Sequence, residues 1–141
     1  MNMVMVFKKD RNRQFLAYLL IIVITLMIDM TYLSFFMKGF YDVQLSAFER
    51  TIRILPALIV WILIPVGIII FVLPKSKDIK KTVLYGAMFG FIVYGVYDFT
   101  NYAILKDYSL VMTIVDLIWG TFLCGFVSFI GKIIMKKLQL N

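Results

Sequence analysis

The sequence predicts an all-α protein, a four-helix transmembrane bundle, and three observations carry that reading. The chain is 62% hydrophobic with a mean hydropathy of +0.93, whereas a soluble domain is usually about 45–50% apolar. The excess is gathered into four blocks, at about 15–37, 54–73, 82–105 and 110–134, and a run of about 20 apolar residues spans a bilayer as a helix. Lysines and arginines flank these blocks and are absent from within them until Lys132. The 141 residues form one integral membrane domain.

Taken in order, the block at 15–37 follows Lys8, Lys9, Arg11 and Arg13. A cleaved signal peptide would have an apolar core of only about 7–15 residues and a small-x-small site. This block is longer, contains Asp29, and ends in Met37-Lys38-Gly39, so it is expected to be a retained helix. Tyr41, Leu45, Phe48 and Ile52 recur at helical spacing among Asp42, Gln44, Glu49, Arg50 and Arg53, which predicts a short interfacial helix at about 40–52. The second span holds no ionisable residue but carries Pro56, Pro65 and Gly67. It is expected to bend and to face lipid over much of its surface. Pro74 ends it, and Lys75, Lys77, Lys80 and Lys81 make a basic turn. Only Lys106 to Ser109 join the last two spans, a link short enough to require antiparallel neighbours. Gly86, Gly90 and Gly95 in one span, and Gly120, Cys124 and Ser128 in the other, supply small residues for close approach. They serve packing within the chain or, alternatively, a homo-oligomer.

Eleven basic residues fall on the side of the two termini and the 74–81 turn, against Lys38, Arg50, Arg53 and Lys106 on the other. The positive-inside rule then places both termini in the cytoplasm. The net charge of +7 is explained by this topology and by anionic lipid at the basic segments, and no nucleic-acid partner is expected. With no His and a single Cys, Cys124, the chain has no internal disulfide, almost no ligands for zinc, haem or iron–sulfur clusters, and no Cys–His or Ser–His pair. No metal and no cofactor is expected. Tyr41, Phe40 and Tyr108 read as an interfacial aromatic belt.

Asp29, Asp98 and Asp116 stand inside the spans. Asp29 lies 8 residues before Met37, Asp98 lies 7 before Leu105, and Asp116 lies 6 after Leu110. At about 1.5 Å per residue each is roughly 9–12 Å inside the same membrane boundary. Asp98 and Asp116 are equidistant from residue 107, which levels them across the hairpin. Residues three and four apart share a helix face. Asp29 therefore travels with Thr25 and Tyr32, Asp98 with Tyr94 and Asn101, and Asp116 with Thr113 and Trp119. From the second span, Val60 and Trp61 reach the same depth. No basic side chain in the spans offsets the three carboxylates, so the layer is expected to hold a proton or share a cation. An intramembrane carboxylate is by default a candidate for function. The alternative is interhelical hydrogen bonding among neutral polar side chains.

Tyr85-Gly86-Ala87-Met88-Phe89-Gly90, then Tyr94-Gly95-Val96-Tyr97-Asp98-Phe99-Thr100-Asn101, then Lys106-Asp107 and Thr113-Ile114-Val115-Asp116-Leu117-Ile118-Trp119-Gly120 together resemble the small membrane proteins called domain of unknown function 2177. The resemblance covers 85–120 closely, and the region from Asp29 to Tyr32 and the overall length agree. It implies four transmembrane helices and bacterial or large-virus relatives, and no established activity, substrate or cofactor. The expected function is that of an integral membrane protein whose carboxylate layer, Asp29, Asp98, Asn101 and Asp116, binds a proton, cation or small polar ligand for transport or sensing. Thr25, Tyr32, Tyr94, Thr113 and Trp119 would line it. The rivals are a lipid-modifying membrane enzyme, for which no nucleophile or cofactor motif is present, and a non-catalytic structural or partner subunit.

Overall fold

Nothing in the first 38 residues stops a helix: there is no proline and no glycine before Gly39, and both are the main breakers of helical structure. In the computed structural model, which describes residues 3–49, 51 and 53–140, the first helix α1 accordingly runs Met3–Thr31, twelve residues longer at its start than the apolar block. The first span proper is Arg11–Phe36. Thr31 Oγ1 donates to the Met27 carbonyl at 2.7 Å, a back-bond that disturbs regular helix. The chain then widens into a π-turn over Tyr32–Phe36, with the Met37 amide donating to the Tyr32 carbonyl at 3.1 Å.

A short helix is present where an interfacial helix at 40–52 is expected, but it ends earlier. Helix α2 occupies Lys38–Gln44 and gives way to turns at 45–48. Ser46 Oγ donates to the Val43 carbonyl at 2.9 Å, capturing an acceptor that a continuing helix would use. Arg50 and Ile52 lie outside the described residues. Helix α3 spans Ile54–Gly67, relaxes into a second π-turn over Ile68–Val72 and finishes as a 3₁₀ turn over Leu73–Lys75. Pro65 lies inside α3. It has no amide to donate to the Trp61 carbonyl four residues earlier, and its ring crowds that carbonyl, so the register change just beyond it has a local cause.

Helix α4, Ile79–Ile104, begins three residues before the apolar block because Asp78 caps it, accepting from the Lys81 amide at 3.0 Å. Helix α5, Leu110–Lys137, is capped by Ser109, whose hydroxyl accepts from the Met112 amide at 3.0 Å. Such caps satisfy amides with no partner inside the helix. Four segments, Arg11–Phe36, Ile54–Lys75, Ile79–Ile104 and Leu110–Lys137, are long and apolar enough to cross a membrane, and no strand occurs among the described residues.

Burial follows stripes. On α1 the buried positions are Ala17, Ile21, Thr25 and Asp29, four residues apart; on α4 they are Thr82, Gly86, Gly90 and Asp98. Helices α4 and α5 form the tightest pair, as the short link over 105–109 requires. A Cβ on Gly90 would stand 2.1 Å from the Gly120 carbonyl oxygen, and one on Gly86 2.6 Å from the Cys124 carbonyl oxygen. The small residues thus serve backbone contact within the chain. Ile21, Ile68, Leu73, Leu123 and Val127 are fully buried and fill the half of the bundle nearest the 74–81 turn. In the half nearest α2, the α3 residues Ile54, Leu55, Leu58, Ile59, Val60, Ile62 and Leu63 are exposed. Helix α3 therefore joins the core through its second half and stands away from it in the first.

Because no side chain fits between α4 and α5 at residue 90, Gly90→Val is expected to cost about 1–3 kcal/mol through overpacking, read as a lowered unfolding midpoint in detergent. Gly39, with nothing within 4 Å of an added Cβ, should accept alanine without loss.

Candidate functional site

All three intramembrane aspartates are buried, at 6% exposure for Asp29, 0% for Asp98 and 9% for Asp116. Each occupies the inward stripe of its helix, and each accepts a hydrogen bond from a different aromatic side chain. Trp119 Nε1 donates to Asp29 Oδ1 at 2.9 Å. Tyr108 Oη donates to Asp98 Oδ1 at 2.7 Å. Tyr41 Oη donates to Asp116 Oδ1.

Asp29 and Asp116 share a cavity of about 530 Å³ to which all five helices contribute. Tyr41 of α2 borders it at one end. Val60, Trp61, Leu63 and Ile64 form the α3 wall, Phe89, Val93, Tyr94 and Tyr97 the α4 wall, and Trp119 stands beside Asp116 on α5. Two packing details position these groups. Tyr32 stacks on Trp119 with ring centroids 3.5 Å apart and planes within 5°, which holds the indole edge toward Asp29. The Tyr94 ring lies against Gly120, where a Cβ would come within 2.1 Å of it, so glycine at 120 makes room for the ring.

Helix α2 is tied across this end of the bundle at two points. Besides the Tyr41–Asp116 bond, Gln44 and Ser109 are joined through Oε1 and Oγ. The same serine caps α5, so α2 closes onto the start of the helix that carries Asp116.

Of the three aspartates expected to form one layer, Asp29 and Asp116 line the cavity. Asp98 does not line the cavity. The short link turns Tyr108 back into the bundle, where it is 7% exposed, and its hydroxyl donates to Asp98. Asp98 Oδ2 is buried with no hydrogen-bond partner among the described residues. Asn101 is half-buried outside the cavity lining. Thr25 and Thr113 are buried, but their hydroxyls donate to their own helices, at the Ile21 carbonyl (2.7 Å) and the Ser109 carbonyl (3.2 Å). Tyr32 contributes through Trp119 and lines a shallow groove on the other side of that ring. Tyr94 and Trp119 line the cavity as expected, as do Val60 and Trp61.

A family model described as a predicted membrane protein, DUF2177, matches residues 14–133. The chain belongs to the DUF2177 family. No curated protein and no solved structure matches it. The two sequence elements that carry the family resemblance surround the aspartates: Tyr94, Tyr97 and Asp98 come from one, and Asp116, Trp119 and Gly120 from the other. This DUF2177 protein is thus a multi-pass membrane protein with an acidic, aromatic-lined cavity in one half of its bundle.

Sequence reasoning missed Tyr41 and Tyr108 as carboxylate donors, because a tyrosine next to a span is usually an interfacial anchor. Both lie outside the spans. Burial, and then the adjoining carboxylate, push both phenols well above the ordinary tyrosine value. A phenol raised in the folded state adds stability that is fully present below the unfolded value near 10 and is lost as pH rises through the folded value. Unfolding stability should therefore fall above about pH 10, and Tyr41→Phe with Tyr108→Phe should flatten that fall, as followed by alkaline denaturation. Tyr108→Phe alone leaves buried Asp98 without its donor and is expected to cost about 1–3 kcal/mol at neutral pH.

Proposed function

We propose that this DUF2177 protein binds a proton, a cation or a small polar ligand between Asp29 and Asp116, in transport or sensing, with both termini in the cytoplasm. The observation that carries the reading is that carboxylates from α1 and α5 line one cavity at a depth where no lysine or arginine occurs in any span. Two buried acidic groups lining one cavity favour a positive charge or a donor there. Sidedness rests on the eleven-to-four distribution of basic residues, and the basic segments are assigned to anionic headgroups.

Asp98 belongs to a different role in this reading. Sealed by Tyr108 and away from the cavity, it fastens the α4–α5 link to the hairpin. The filled core below the cavity makes the site a blind pocket, which fits ligand binding followed by a conformational change better than a standing pore.

The test is to change each aspartate singly to asparagine and follow thermal unfolding in a non-ionic detergent from pH 5 to 9, in sodium and in potassium. Asp29→Asn and Asp116→Asn should remain folded and should alter the pH or cation dependence of the midpoint. Asp98→Asn should shift the midpoint equally under every condition. Unchanged profiles in the first two variants would overturn the assignment. A lipid-modifying activity would instead leave a mass change in the lipids of an expressing host.

A further inference from the structure

The cavity is far larger than an inorganic ion requires. Its volume of about 530 Å³ compares with about 30 Å³ for one water molecule. Its oxygen donors are few: among the described residues no three His, Cys, Asp or Glu side chains are grouped to hold a metal ion, whereas hard cations take about six to eight oxygens. The remaining wall is apolar or aromatic, with Trp61, Tyr94, Tyr97 and Trp119 around the two carboxylates. Aromatic faces combined with carboxylates recognise organic ammonium groups, whose charge is spread over methyl or methylene surface.

Val60 and Leu63 of α3 and Tyr97 of α4 line the cavity, yet they are 54%, 60% and 61% exposed. They are therefore lips, with one side on the cavity and the other on the outside of the bundle. They lie within Ile54–Lys75 and Ile79–Ile104, segments apolar enough to cross the membrane, so the outside they meet is acyl chain. The gap exists because α3 stands away from the core in this half. A ligand entering here comes sideways from the bilayer and leaves its tail in the gap.

We propose that the occupant is an amphiphile with a cationic nitrogen head, a primary amine or a quaternary ammonium on an alkyl or acyl tail, admitted between α3 and α4 from the leaflet nearest α2. The proposal rests on the reading of Asp29 and Asp116 as a ligand site and specifies its ligand. An anionic head finds no basic partner at this depth. A neutral head leaves both carboxylates without a counter-charge.

The protein supplies its own reporter. Its two tryptophans are Trp61 and Trp119, and both line the cavity. In phosphatidylcholine vesicles, a trimethylammonium amphiphile with a brominated chain should quench their emission saturably, at a mole fraction at least about tenfold lower than the brominated alcohol or carboxylate of the same chain, a ratio equivalent to about 1.4 kcal/mol. The double change Asp29→Asn with Asp116→Asn should abolish the preference. Tyr97→Ala, at an exposed lip, should weaken it severalfold, and the head-group preference of the unaltered protein decides the matter even where the double variant does not fold. Equal quenching by cationic and neutral amphiphiles would overturn the proposal. If sodium or tetramethylammonium instead shifts the emission in a carboxylate-dependent way and the tailed cation gains nothing over them, the ligand site stands and the amphiphile falls. If no cation responds to loss of both carboxylates, both readings fall.

Discussion

A carboxylate inside a bilayer has no water to accept hydrogen bonds from, and the cost of placing one there is met only by donors or counter-charges brought by the protein itself. Three aspartates inside the spans, Asp29, Asp98 and Asp116, impose that demand three times, and much of one half of this bundle answers it. The donors come from three different places: the indole of Trp119 across the α1–α5 contact, the phenol of Tyr108 from the α4–α5 link, and the phenol of Tyr41 from α2. Each ties together elements that helix packing alone would leave free to rotate. The π-turn after Thr31 belongs to the same solution, since it precedes the helix that returns Tyr41 over the end of α5.

The glycines set the scale on which these contacts work. Backbone-to-backbone approach at Gly86 and Gly90 fixes α4 against α5, and Gly120 admits the Tyr94 ring into the same seam. With that pair fixed, the link between the helices folds back with Tyr108 buried and bonded to Asp98. The tight hairpin therefore does two opposite things. It seals Asp98 against its own loop, and it leaves Asp116 on the adjoining face, where α1 brings Asp29 to the same cavity.

Depth was legible in the sequence because it depends only on counting residues from helix ends, and Asp29, Asp98, Asp116, Val60 and Trp61 could all be placed that way. Facing was legible to the extent that four-residue stripes exist, and all three aspartates do lie on buried stripes. Partnership was not legible. Tyr41 and Tyr108 have the composition and position of interfacial anchors, and only the fold of the chain outside the spans decides that they turn inward. The start of α1 was also missed, since hydropathy marks where lipid begins and says nothing of a polar helical extension. The expected end of the short helix, at about 52, lies eight residues beyond Gln44 because amphipathic spacing continues past Ser46, whose side chain bonds back to the Val43 carbonyl.

The asymmetry of α3 has the largest consequence for function. Its end and the turns that follow are buried through Ile64, Ile68, Ile69, Val72 and Leu73, and its first half faces outward. The change falls at Pro65, beyond which the helical register widens. A straight, uninterrupted helix packed along its whole length would have closed the gap to α4 and left Asp29 and Asp116 in a sealed interior like that of Asp98. In the proposed reading, a wall open on the side of the acyl chains, with the core filled toward the basic turn, makes the bilayer rather than either aqueous phase the source of the ligand. The proline thus separates two kinds of carboxylate in one small bundle, one that holds structure and two that remain accessible to something else.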